Sequence, residues 1–117
     1  MRASKLALLK KHHVLLKHLV KCTSADCIHI VEGMSDEVIK LLSEICINVM
    51  NKSLTRDHNY AVLKLSPFKK QLKTVTRANT TITHKRKTFQ QKGGFIGALL
   101  GIALPLITSL IGAAAGR

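Results

Sequence analysis

The sequence predicts an all-α fold: a small helical bundle of about three to five helices, with a separate apolar helix at the C-terminal end. Three observations carry that expectation. Apolar residues recur at three- and four-residue spacing through most of the chain. Hydroxyl residues suited to capping (Thr23 or Ser24, Ser35, Thr55, Ser66) stand just ahead of periodic runs. From Phe95 to Ala115 runs an uncharged stretch of 21 residues, about 31 Å long as a helix.

The first periodic run is 4–21, where Leu6, Leu9, Leu16 and Val20 form a stripe opposite Lys10, Lys17 and Lys21. A short helix follows, capped at Thr23 or Ser24 and ending near Gly33. Ser35 caps a third, with Asp36 and Glu37 in the first turn, where the helix dipole favours negative charge. Its Val38, Leu42, Ile45 and Val49 share one face. Thr55 is expected to cap a run through Leu65, which breaks at Ser66-Pro67. Proline suits a first helical position, since no hydrogen bond is lost there, so a further helix is expected over 67–78. Residues 79–83 read as a joint before a last basic turn or helix, 84–92.

Charge divides the 117 residues into three zones. All six carboxylates (Asp26, Glu32, Asp36, Glu37, Glu44 and Asp57) fall within 1–57, a mixed-charge helical region. The stretch 58–92 holds none, but carries Lys64, Lys69, Lys70, Lys73, Arg77, Lys85, Arg86, Lys87 and Lys92, and is expected to be a basic helical arm. The last zone, 93–117, is uncharged up to Gly116. The length leaves room for one small domain with appendages.

A formal charge of +13 favours a polyanionic partner. Those nine bases at helical spacing, with no acid among them, complement a phosphate backbone, and are the candidate nucleic-acid-binding residues. Engaging about six to nine phosphates gives a log–log salt slope of roughly −5 to −8. Aromatic residues number only four, Tyr60, Phe68, Phe89 and Phe95, which argues against a single-strand binder that stacks bases. Base reading is not indicated either: there is no zinc-finger spacing, RNP motif or heptad zipper, and lysine is a point charge poorly suited to bidentate guanine contacts. The expected binding is sequence-independent.

The apolar run matches the thickness of a bilayer's hydrocarbon core. The rest of the chain is expected to be too small to cover it on all sides, so it reads as membrane-seeking or buried in a larger assembly. Phe95, Ile96, Leu99, Leu100, Ile102, Leu104, Pro105, Leu106, Ile107, Leu110 and Ile111 are its candidate membrane residues. Gly93, Gly97 and Gly101 form a strip on which another helix could pack closely.

Cys22, Cys27 and Cys46 are an odd set, which argues against a disulfide framework. Cys22-x4-Cys27-x-His29 lacks paired-cysteine zinc spacing, and no metal or cofactor is expected. His12, His13 and His18 are titrating groups on a basic helix; protonating all six histidines takes the formal charge from +13 to +19. The apolar run Leu6–Leu9 is too short for a secretory signal. No nucleophile elbow or phosphate loop organises the Ser, His and Asp residues, and an enzyme is not expected.

The run His84-Lys85-Arg86-Lys87, then Gln91-Lys92-Gly93-Gly94-Phe95-Ile96-Gly97-Ala98-Leu99-Leu100, resembles the adenovirus core protein X precursor family, as found in adenovirus-like viruses and Polinton (adintovirus) elements. In that family a basic segment ends in Gly-Gly before a Phe-led apolar tail. Gln91, Lys92, Gly93, Gly94 and Phe95 also fit the pattern cut by adenovirus-type cysteine proteases, which implies cleavage between Gly94 and Phe95. The resemblance covers the last third well and the middle loosely. It departs from the family in being lysine-rich rather than densely arginine-rich, and in the acidic helices of 23–57. It implies a virion core or minor capsid protein of the host nucleus and the virion. Such a protein condenses double-stranded DNA, with capsid proteins and the protease as further partners. The alternative is a membrane-anchored or membrane-disrupting viral protein whose polybasic stretch meets anionic lipid.

Overall fold

The computed structural model describes residues 3–91 and 94–115, and among these it is all-α. It is divided more finely than the apolar periods suggest. The helices are α1 (Ala3–Lys11), α2 (His13–Lys21), α3 (Ser24–Glu32), α4 (Asp36–Met50), α5 (His58–Leu65), α6 (Lys69–Thr76), α7 (Ile82–Gln91) and α8 (Gly94–Ala115), with a 3-10 turn at Ser66–Phe68.

Local chemistry explains the boundaries. The single helix expected over 4–21 is interrupted at His12, whose φ of −104° and ψ of 13° leave the helical region. The hydrogen-bond ladder still crosses the site, because the Leu16 amide donates to the His12 carbonyl at 3.0 Å. The result is a bend that lets α1 reach α4 and α8 while α2 lies along α8. Thr23 and Ser35 cap α3 and α4, accepting from the Asp26 and Val38 amides at 3.2 and 3.4 Å. At the end of α4, Lys52 takes a left-handed φ of 73°, and the Ser53 amide returns to the Asn48 carbonyl at 2.8 Å, a Schellman closure.

Two expected starts move. Asp57, not Thr55, caps α5: its carboxylate accepts from the Tyr60 amide at 3.1 Å, while the Thr55 hydroxyl donates to the Asp57 carbonyl. Thr81 accepts from the His84 amide at 3.2 Å, so α7 begins inside the stretch expected to be a joint. The helix expected over 67–78 is a 3-10 turn around Pro67 followed by α6, which ends when Arg77 turns extended.

The largest departure concerns α8. It is not a detached tail but the element on which α1 through α5 pack. Phe95, Ile96, Leu99, Leu100, Ala103 and Ile107 have no exposed surface. They recur at three- and four-residue intervals and so share one face. The opposite face carries Gly101, Pro105, Thr108, Ser109 and Gly112, all exposed. The run therefore looks apolar all round because glycine, threonine and serine carry no charge, yet its bulk lies on one side. One buried stripe needs covering on that side alone, and a chain of this size can supply the cover. Of the remaining candidate membrane residues, Ile102, Leu104, Leu106 and Ile111 are half-buried, and Pro105 and Leu110 exposed. The helix remains long and apolar enough to cross a bilayer by length and composition. Among the described residues no helix packs closely on the glycine strip: a Cβ at Gly97 or Gly101 would meet nothing within 4 Å, and Gly93 lies outside them.

The charge boundaries are likewise not packing boundaries. Within 58–92, Ala61, Leu65, Leu72, Val75 and Phe89 join the same core as Leu16, Ile39, Leu42 and Leu99. The expected basic arm thus folds onto α3 and α4, because each of its helices carries an apolar stripe of its own. Phe95 stacks between Phe68 and Phe89, with ring centroids 5.4 and 5.5 Å away. The radius of gyration, 13.2 Å, equals the value of about 13 Å for a compact chain of this length. No segment of the described chain projects as a tail.

Candidate nucleic-acid interface

The burial that docks α6 and α7 also fixes where their lysines point. Helix α6 turns Gln71, Leu72 and Val75 inward. Lys69, Lys70 and Lys73, with Arg77 just beyond, are then left on the outer side, all exposed. Helix α7 buries Thr88 and Phe89 and leaves Lys87 exposed, with Lys85 half-buried. Lys64 is exposed on α5. Because α6 and α7 pack against each other and both against α4, their outer faces adjoin.

The carboxylates do not neutralise this face. The ion pairs among the described residues are Lys11–Glu37 (3.1 Å), His12–Glu37 (2.7 Å) and Arg86–Asp36 (2.7 Å). Lys64, Lys69, Lys70, Lys73, Arg77, Lys85 and Lys87 therefore have no carboxylate partner there. The Glu37 carboxyl is held below its ordinary range, chiefly by the hydrogen bond from His12 and then by that from Lys11.

Arg86 does not belong with the free cations. One guanidinium nitrogen donates to the carbonyls of Val31 (2.8 Å) and Met34, and the other to Asp36 at 2.7 Å. It closes the C-terminal end of α3, where helix carbonyls lack partners and a cation is favoured. Its expected role as a phosphate contact is corrected to a structural one. Gln90 adds a second tie to α3, donating to the Ile28 carbonyl at 3.3 Å. Lys92 falls outside the described residues.

One cation missing from the sequence-based set joins the face. Lys40, exposed on α4, lines a cleft of about 400 Å3 of mixed polarity, where Glu44, Thr80, Thr81 and Lys85 stand beside Ile47 and Ile82. Nothing in the sequence pointed to it, since Lys40 lies in the mixed-charge zone and meets Lys85 only through tertiary packing.

The residues at the expected cleavage point are divided. Gln91 ends α7 and is exposed, Gly94 opens α8 and is exposed, and Phe95 is fully buried. Lys92 and Gly93 are outside the described residues. Among those residues, no three His, Cys, Asp or Glu side chains gather at metal-binding spacing. Cys27 and Cys46 are buried thiols. Burial pushes both up from the ordinary thiol value, and the Cys22 thiol adds to the effect at Cys27. His13 hydrogen-bonds Thr108 of α8 at 3.2 Å, and His18 is exposed.

No family model, curated protein or solved structure matches the chain. The functional reading therefore rests on the geometry above and on the resemblance at 84–100.

Proposed function

We propose that this protein is a non-enzymatic component of a DNA virus particle. It binds and condenses double-stranded DNA without sequence specificity through the outer faces of α5, α6 and α7. One observation carries the reading: a set of seven cations on α5, α6 and α7 and the turn after α6, Lys64, Lys69, Lys70, Lys73, Arg77, Lys85 and Lys87, without carboxylate partners among the described residues. Asp36 and Glu37, the carboxylates in ion pairs among the described residues, are taken by Arg86, Lys11 and His12. The viral setting, the nuclear and virion localisation and the capsid and protease partners come from the resemblance at 84–100.

The test is a gel-shift comparison on duplexes of unrelated sequence. The intact protein is expected to bind them equally. Lys69→Gln/Lys70→Gln/Lys73→Gln should weaken binding to each about equally, and more than Lys10→Gln/Lys17→Gln/Lys21→Gln, which removes the same charge from α1 and α2. Equal losses from the two triple variants would place the interface elsewhere.

Cleavage between Gly94 and Phe95 would cut into the first turn of α8, beside a ring clamped between Phe68 and Phe89. The protease accordingly acts on the nascent or opened chain, and a cut made after folding leaves α8 held by packing alone.

The membrane reading is kept by the length of α8. In this form the helix must first leave the core. Leakage from anionic liposomes is then expected to be low for the intact protein and to rise when the Phe95 clamp is removed. Equal leakage would exclude undocking of α8 as the cause.

A further inference from the structure

The cleft between α4 and the α6–α7 turn differs in kind from the other clefts on the surface. Two of those are lined chiefly by aliphatic side chains, Val20, Leu100 and Leu104 in one and Met50, Val62 and Leu65 in another, and a third, between α5 and α8, sets Arg56 beside Asp57. The α4 cleft presents two ammonium groups, Lys40 and Lys85, and two hydroxyl residues, Thr80 and Thr81. Neither lysine has a carboxylate within ion-pair distance among the described residues. With about 400 Å3 of space and one side open to solvent, the cleft admits a tetrahedral oxyanion that keeps part of its hydration shell.

The backbone beside it suits an anion as well. Thr81 caps α7, taking the His84 amide on its hydroxyl, and the Lys85 amide donates to its carbonyl at 2.9 Å. The ten-residue helix α7 thus opens at the cleft, with its positive dipole end on the same side as Lys85. Ser43 also lines the cleft, with its hydroxyl proton already donated to the Ile39 carbonyl, and Ile47 and Ile82 complete the wall. Glu44 is the one opposing charge in the lining. It leaves the cleft with one net positive charge and makes a prediction of opposite sign available.

We propose that this cleft seats a phosphate group between Lys40 and Lys85. The inference rests on the nucleic-acid reading for the source of the phosphate, a backbone phosphodiester of the duplex, since the cleft adjoins Arg77 and the outer face of α6. A free phosphate has the same chemistry and could occupy the same seat. Lys40 then becomes a contact residue from outside the basic zone.

The experiment is amide-resolved NMR on the intact chain at low salt, titrated separately with a short DNA duplex and with inorganic phosphate. Wild type is compared with Lys40→Gln, Lys85→Gln and Glu44→Gln, with far-UV circular dichroism confirming each fold. Shifts at Thr80–Lys85 that are lost in either lysine variant and strengthened about twofold or more in Glu44→Gln establish the seat. If the duplex alone produces them, the source is the DNA backbone. If both ligands do, the seat takes phosphate from either source. If phosphate alone does, the seat stands but its phosphate is not the duplex's, and the nucleic-acid reading falls only if the duplex also leaves Lys69–Lys73 unmoved. Duplex shifts along Lys69–Lys73 with Thr80–Lys85 unmoved by either ligand would overturn the seat while leaving DNA binding intact. Silence at every amide would remove both.

Discussion

Replacing Phe95 with alanine tests the packing of α8 at the position where the structure concentrates it. The ring has no exposed surface and lies between two others, Phe68 at 5.4 Å and Phe89 at 5.5 Å, inclined by 25° and 18°. Truncating a buried phenylalanine costs about 3–5 kcal/mol, combining lost transfer energy with the cavity left behind. Each stacked pair contributes within that sum. A domain of this size has about 5–15 kcal/mol in all, so Phe95→Ala should remain folded but marginal. Its melting temperature should fall by roughly 10–25 °C. The assay is urea and thermal unfolding followed by far-UV circular dichroism, with Leu110→Ala as the comparison. Leu110 lies on the same helix at 39 % exposure, and its truncation should cost under about 1 kcal/mol. A helix held outside the fold would give two small, similar effects. That outcome would refute the docking of α8.

Three further perturbations probe other joints. Arg86→Gln should destabilise by about 1–3 kcal/mol, because Asp36 loses its ion pair and the Met34 carbonyl its guanidinium donor, while the Val31 carbonyl keeps the Met34 amide. Arg86→Lys should recover only part of this, since one ammonium cannot reproduce the fork; full recovery in urea unfolding would contradict the assignment. Lys52→Gly should stabilise by up to about 1 kcal/mol, since Lys52 holds a φ of 73° that glycine adopts freely; destabilisation would contradict the Schellman closure. Glu37→Gln should lower the melting temperature at neutral pH but not in strong acid. The folded-state pKa of Glu37 is depressed, so its stabilisation is fully present above the ordinary glutamate range and disappears as pH falls through the lower folded value. A difference between variant and wild type that persists unchanged into strong acid would exclude this linkage.

Much of the local structure was legible because it is encoded locally. Thr23 and Ser35 cap the helices their positions predict, and the stripes on α4 and α6 follow from spacing alone. Asp57 was missed as a cap because Thr55, two residues earlier, is chemically just as able. The inward placement of α8 was missed because averaging hydropathy along the run merges two unlike faces, one of Phe, Ile and Leu, the other of Gly, Pro, Thr and Ser. The cations needed tertiary information. Arg86 looks identical to Lys85 and Lys87 in sequence, yet its partners lie 50 to 55 residues away. Lys40 sits among acids in the chain but beside Lys85 in space. Segregation of charge along the sequence was therefore a sound guide to which residues are cationic, and a poor one to which are available.

The salt dependence of duplex binding by the intact protein measures that availability most directly. With Arg86 occupied, about five to seven phosphates are engaged, and the log–log slope of affinity against salt should be roughly −4.5 to −6. A slope near zero, or no binding at low salt, would mean that the lysine face of α5 to α7 does not meet a phosphate backbone.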